Sequence, residues 1–143
     1  MSTETNAKSP AVPRPAPRVT TETKAYWQAL HDGKLTLSEC ESCGKLSHPP
    51  QAVCAFCWGN KVKPKVASGR GTLNSFSIIR QTADPAFKGR VPYVLAYVDL
   101  EEGVSLVSNV INCDIADVKI GMKLAPVFEQ TSEDTGVVLF EPA

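Results

Sequence analysis

Cys40-Glu-Ser-Cys43-Gly44 and Cys54-Ala-Phe-Cys57-Trp58-Gly59 place two Cys-x-x-Cys pairs ten residues apart. Each pair presents two sulfurs from one tight turn, and two such turns can bring four thiols to a single tetrahedral centre. A glycine one or two residues beyond each pair supplies the left-handed backbone that leads out of the turn. The flanking stretches Lys34 to Glu39 and Lys45 to His48 read as the strands of a small ribbon. About thirty residues with few large apolar side chains cannot fold unaided, whereas tetrahedral thiolate binding contributes about 10 to 16 kcal/mol.

Structural zinc held by Cys40, Cys43, Cys54 and Cys57 is the reading these spacings favour. The competing chemistries are two disulfides, a redox-active pair, or a rubredoxin-type iron centre that carries electrons. Disulfides conflict with a cytoplasmic address, and a redox pair needs one motif opening a helix in a βαβ setting, which this sequence lacks. Four thiolates on a divalent zinc ion leave a formal charge of about −2 that Lys34, Lys45 and Lys61 partly compensate. With every position filled by sulfur, no metal-bound water is available, so the site is structural. His48, followed by Pro49 and Pro50, is read as a loop residue, and the fifth cysteine, Cys113, as a small buried thiol.

On either side of the cysteines the text changes character. Residues 1–19 contain Pro10, Pro13, Pro15 and Pro17 with almost no large apolar side chain, and read as a disordered leader. A polyproline-type ligand is the functional alternative for that leader. Residues 20–33 read as a short helix, with Thr20 or Thr21 as cap, Glu22 at its positive end, His31 in the last turn and Gly33 as the stop. Tyr26 and Leu30 share one face of it with Trp27 alongside.

After the ribbon, residues 34–67, a third module spans residues 68–143. Its strands are read as Arg70 to Gln81, Pro92 to Glu101, Val104 to Cys113, Met122 to Gln130 and Val137 to Glu141. Asp114 to Gly121 forms one helical turn between the third and fourth strands. Five strands with a short helix after the third follow the order of an OB barrel; an incomplete six-stranded barrel or sandwich is the alternative. The fold class expected is mainly β: an N-terminal helix, a zinc ribbon, then a five-stranded OB-fold barrel. Strands two and three are partly apolar on both faces, so the outer face is expected to be covered by the helix and ribbon or by another protein chain. The long connection Thr82 to Pro92 is a candidate binding loop.

Of 143 residues, 43% are hydrophobic, and 15 basic side chains balance 15 acidic ones. Residues 1–70 hold ten basic and five acidic groups, and residues 71–143 the reverse, so the modules differ in sign. An acidic barrel argues against nucleic acid as the partner. No stretch reaches the length of a membrane span, and no secretion signal is evident, so the chain reads as soluble and cytoplasmic. A nucleophile elbow, a P-loop and an HExxH motif are all missing and two histidines leave few bases, so catalytic machinery is hard to find in the sequence and an interaction subunit is the favoured reading.

Taken in order, Tyr26-Trp27, Gly33-Lys-Leu35, Cys40-x-x-Cys43-Gly44, His48-Pro-Pro50, Cys54-x-x-Cys57, Ser68-Gly-Arg-Gly71-Thr, Pro92-Tyr-Val, Leu100-Glu-Glu-Gly103 and Ile120-Gly121-Met carry a family pattern. Over about residues 22 to 141 the chain resembles the two-module proteins in which a rubredoxin-like zinc ribbon precedes an OB-fold, associated with acyl-CoA metabolism and long carried as a domain of unknown function. The resemblance implies a non-catalytic accessory subunit that binds acyl-CoA, a thiolase-like or hot-dog-fold hydratase partner, or both, in a hetero-oligomer. Activity, on this view, belongs to the assembled complex. Residues compatible with contacting acyl-CoA or the partner are Tyr26, Trp27, Lys61, Lys63, Lys65 and Arg70; for the lysines, a solvated, charge-protected edge strand is the plainer use. Alternatives from other classes are a single-stranded nucleic-acid binder, since ribbons and OB barrels both serve that purpose, and a rubredoxin-like electron carrier.

Overall fold

Alternating apolar residues in the second half of the chain build a closed barrel. A computed structural model describes residues 13–143; most of the proline-rich leader, residues 1–12, lies outside the described residues. The elements are α1 (Lys24–His31), β1 (Thr36–Cys40), β2 (Leu46–Ser47), β3 (Val62–Val66), β4 (Gly71–Ile79), β5 (Tyr93–Leu100), β6 (Ser105–Val110), a 3-10 turn (Ile115–Asp117), β7 (Lys123–Gln130) and β8 (Gly136–Pro142). Strands β1 to β3 form a three-stranded sheet in the order β2-β1-β3, and β4 to β8 close a barrel in the order β4-β5-β6-β8-β7. With its 3-10 turn between the third and fourth barrel strands, this is the five-stranded OB topology, not a sandwich.

Val94, Ala96, Val98 and Leu100 alternate inward from β5 and are buried with Leu73, Val110, Leu124 and Phe140. A shift in the β4–β5 register between Leu73 and Ser75 marks a bulge that helps the sheet curl. The same core cluster takes in Tyr26 and Leu30 from α1 and Leu35 and Leu37 from the ribbon, so helix, ribbon and barrel share one interior.

The helix begins later than its capping residues imply. Thr20 Oγ1 accepts from the Thr23 N–H at 3.2 Å, while Thr23 Oγ1 accepts from the Thr20 N–H at 3.0 Å. This reciprocal pair makes a capping box one turn ahead of Lys24. Upstream, Arg14 donates to Glu129 at 2.9 Å and to Asn109 at 3.2 Å, tying the chain that precedes the helix to the barrel. No helix among the described residues is long and apolar enough to cross a membrane.

Candidate metal centre and adjoining surfaces

Cys40 ends β1 and Cys43 lies just beyond it, and the second pair lies between β2 and β3. Both knuckles use the same local geometry. Gly44 N–H donates to the Cys40 carbonyl at 2.8 Å, and Trp58 N–H donates to the Cys54 carbonyl at 3.1 Å. The residue four beyond the first cysteine takes the left-handed conformation in each: Gly44 at φ 76° and Trp58 at φ 65°. The expectation of a glycine at that position holds only for the first knuckle. In the second, Gly59 instead lies close to the sulfur, where a β-carbon would stand 3.2 Å from Cys57 Sγ, a tight contact.

The four sulfurs lie within 4.8 Å of one another, with Cys40–Cys57 at 3.6 Å and Cys43–Cys54 at 3.7 Å. A disulfide requires about 2.05 Å, whereas a tetrahedron with metal–sulfur bonds near 2.3 Å has edges of about 3.8 Å. The donor set therefore fits a tetrahedral metal ion. Backbone N–H groups favour the ionised sulfurs. The Cys43 N–H leads in drawing Cys40 down to about 6, and the Cys57 and Phe56 N–H groups lower Cys54. At Cys57 the Gly59 N–H also lowers, but the neighbouring thiols and burial together push the group up to about 11. Several thiolates crowded together repel one another, and a divalent cation resolves that conflict.

Cys113 is apart from this cluster and half-buried, its thiol pushed up by burial and then by Asp117 and Asp114. Nothing in that setting activates it.

Of the other residues singled out from sequence, Tyr26 is buried and Trp27 is partly buried against the core, their rings meeting edge to face at 4.9 Å. The Trp27 indole N–H is enclosed with no acceptor among the described residues. Tyr26 Oη lies 2.7 Å from His48 Nε2. His48, read from sequence as a plain loop residue, is thus the helix's link to the ribbon, and burial lowers its pKa. Glu22, expected to serve the helix dipole, also reaches the ribbon, accepting from the Ala52 N–H at 2.6 Å.

The basic residues are not gathered into one site. Lys63 and Lys65 lie opposite Glu39 and Leu37 across β1 and β3. Lys63 pairs with Glu39 at 3.6 Å and Glu41 at 3.5 Å, and Lys65 with Glu39 at 3.3 Å. Arg70 grips Glu101 through two nitrogens, at 3.0 and 3.1 Å, across the start of the barrel. Lys61 precedes β3 and is exposed. Sequence reasoning missed the carboxylates because they come from other strands, and only register brings them opposite.

Against this geometry, known proteins give a consistent picture. A family model described as the ChsH2 rubredoxin-like zinc ribbon domain matches residues 27–62, and one described as the ChsH2 C-terminal OB-fold domain matches residues 65–129. A DUF35 domain-containing scaffold protein of Methanothermobacter thermautotrophicus is 34% identical over 116 residues, covering 80% of this chain and 86% of that one. A probable enoyl-CoA hydratase alpha subunit of Thermomonospora curvata is 28% identical over 141 residues, 99% of this chain; the chain spans only 44% of that protein's length. Among solved structures, a chain of the Ltp2-ChsH2(DUF35) aldolase superposes with a TM-score of 0.79 at 27% identity, covering 88% of this chain and 98% of that one. The chain belongs to the DUF35 family and carries its ChsH2 pattern of rubredoxin-like zinc ribbon followed by OB-fold.

Proposed function

We propose that this protein is a non-catalytic accessory subunit of an acyl-CoA-processing complex, built around structural zinc. It seats a thiolase-like or hydratase-like enzyme subunit and helps hold the acyl-CoA. The observation that carries this reading is the likeness, over 88% of the chain, to a chain of the Ltp2-ChsH2 aldolase, a protein named for two components. Four thiolates are a closed donor set, which suits a scaffold role for zinc and leaves no position for a substrate.

For the acyl-CoA, the hollow lined by Tyr26, Trp27, Pro49 and Pro50 offers apolar walls. A thioester or pantetheine carbonyl supplies the acceptor that the Trp27 N–H lacks, once the ring tilts outward. Phosphates have Lys61 within the chain; Lys63, Lys65 and Arg70 would first have to exchange carboxylates that they already hold.

The test is affinity capture of the full chain from its native cells, with metal analysis and acyl-CoA binding measured with and without the captured subunit. The expected result is one zinc per chain, a subunit identified by mass spectrometry as an acyl-CoA enzyme, and tighter acyl-CoA binding by the pair. A reducible iron centre, or salt-dependent oligonucleotide binding by a chain that captures no enzyme, overturns the reading.

A further inference from the structure

Two hollows adjoin at Val107. One, of about 230 Å³, lies between α1, the His48-Pro49-Pro50 loop and the β6–β8 corner. The other, of about 260 Å³, lies over the outer face of β4, β5 and β6. Register sets that face in rows: Ser75, Tyr97 and Val107 form one, and Ser77, Leu95 and Asn109 the next. Val107 is 65% exposed, Tyr97 44% and Leu95 40%. No Lys, Arg, Asp or Glu lines either hollow, although 21% of the chain is charged. The hollow between α1 and β3, by contrast, has Glu22 and Lys63 in its wall, and the one beside Arg14 also has Arg90.

The polar groups at the border of this face already have partners inside the chain. Asp99 accepts from Ser105 at 2.5 Å and from Asn74 at 2.9 Å. Asn109 donates to the Val94 carbonyl at 3.0 Å and accepts from Arg14 at 3.2 Å. A surface laid over the rows therefore strands neither Asp99 nor Asn109, and the hydroxyls of Ser75, Ser77 and Tyr97 within the rows call for uncharged hydrogen-bonding groups from the occupant.

We infer that the uncharged sheet face of Val107, Tyr97 and Leu95, which borders the hollow assigned above to the acyl-CoA, is where the enzyme subunit docks, through an uncharged patch of its own. The inference rests on the accessory-subunit reading above and assigns it a surface. Charge sets the class of occupant. Interface centres are depleted of charge and enriched in tyrosine and tryptophan, whereas a nucleic acid or an anionic lipid surface needs cations that this face lacks. The choice of an enzyme subunit over a second copy follows the aldolase neighbour and the relative named as an alpha subunit.

The test uses the full chain and the purified subunit identified by the capture experiment. Val107→Glu and Tyr97→Glu each place a charge in the face, and Ile120→Glu makes the same change at a residue 69% exposed and outside both hollows. By calorimetry, each face variant is expected to weaken association about 30-fold or more, as central interface residues do, with Ile120→Glu close to wild type. Unchanged melting temperature and metal content verify that the variants fold. A complex that forms equally well with both face variants overturns the inference while leaving the accessory role standing. A wild-type chain that sediments as a dimer, and as a monomer after Val107→Glu, assigns the face to a second copy and also overturns it. Failure to capture any enzyme subunit removes the functional reading itself and this surface with it.

Discussion

The Tyr26 hydroxyl and His48 Nε2 stand 2.7 Å apart, and this contact joins the only α-helix of the described residues to the loop between the two cysteine knuckles. Both rings are largely enclosed, so the hydroxyl and the imidazole each depend on the other for a partner. Tyr26→Phe removes the hydroxyl and leaves a shielded ring nitrogen unpaired, at a cost of about 1 to 3 kcal/mol. Thermal unfolding should report it as a lower midpoint with the same metal content.

The same pair sets a pH dependence. Burial lowers the His48 pKa below its unfolded value of about 6.5, so between the two values the unfolded chain binds more protons than the folded one. Stability that is full above about pH 6.5 is therefore expected to fall as pH drops from there toward the folded pKa. Denaturant melts of wild type and His48→Gln at several pH values check it. The variant should show a shallower loss over that window, and an identical slope counts against His48 as the source.

Cys54→Ala opens the donor set. With three thiols left, a site that contributes about 10 to 16 kcal/mol when complete loses most of its metal, and the ribbon should unfold while the barrel strands persist. Metal analysis paired with amide exchange tests this, with protection expected to vanish across β1 to β3 and to survive in β5 and β6. A variant that retains its metal and its protection contradicts the scaffold role of the ion.

Gly136 lies directly under the end of the helix, where a β-carbon would stand 2.7 Å from the His31 nitrogen and 2.9 Å from the Leu30 carbonyl carbon. The clash is with backbone, so the helix must lift. Gly136→Ala is expected to cost about 1 to 3 kcal/mol and to shift the fluorescence of Trp27 as its surroundings open. A normal melting curve with an unchanged emission spectrum is the contrary outcome.

Much of this molecule could be read from sequence because the relevant signals are local. Two Cys-x-x-Cys pairs fix a four-sulfur geometry, and alternation in Val94, Ala96 and Val98 fixes which side of β5 faces inward. What escaped reading depends on register between distant segments. Glu39 meets Lys63 and Lys65 only because β3 pairs antiparallel with β1, which turns an expected row of free lysines into ion pairs. His48 gives no local sign that Tyr26 will come to rest upon it. Trp58 took the left-handed turn that Gly59 seemed made for, because the backbone needs that bend four residues after the first cysteine, while Gly59 lies close to the Cys57 sulfur. Of the two covers expected for the outer sheet face, helix and ribbon or another protein chain, the first reaches only part of it: α1 lies against β7 and β8 and leaves Val107 and Tyr97 open.

The helix end seated on Gly136 has a mechanical meaning. A rod of eight residues, braced on the barrel at one end and hooked to the ribbon loop through Tyr26 and Glu22, works as a set square between two small bodies. Shaving or lengthening that rod by a single residue between Tyr26 and His31 would swing Tyr26 about 100° around its axis relative to the end seated on Gly136, so the ring would leave His48 and the brace between ribbon and barrel would be lost.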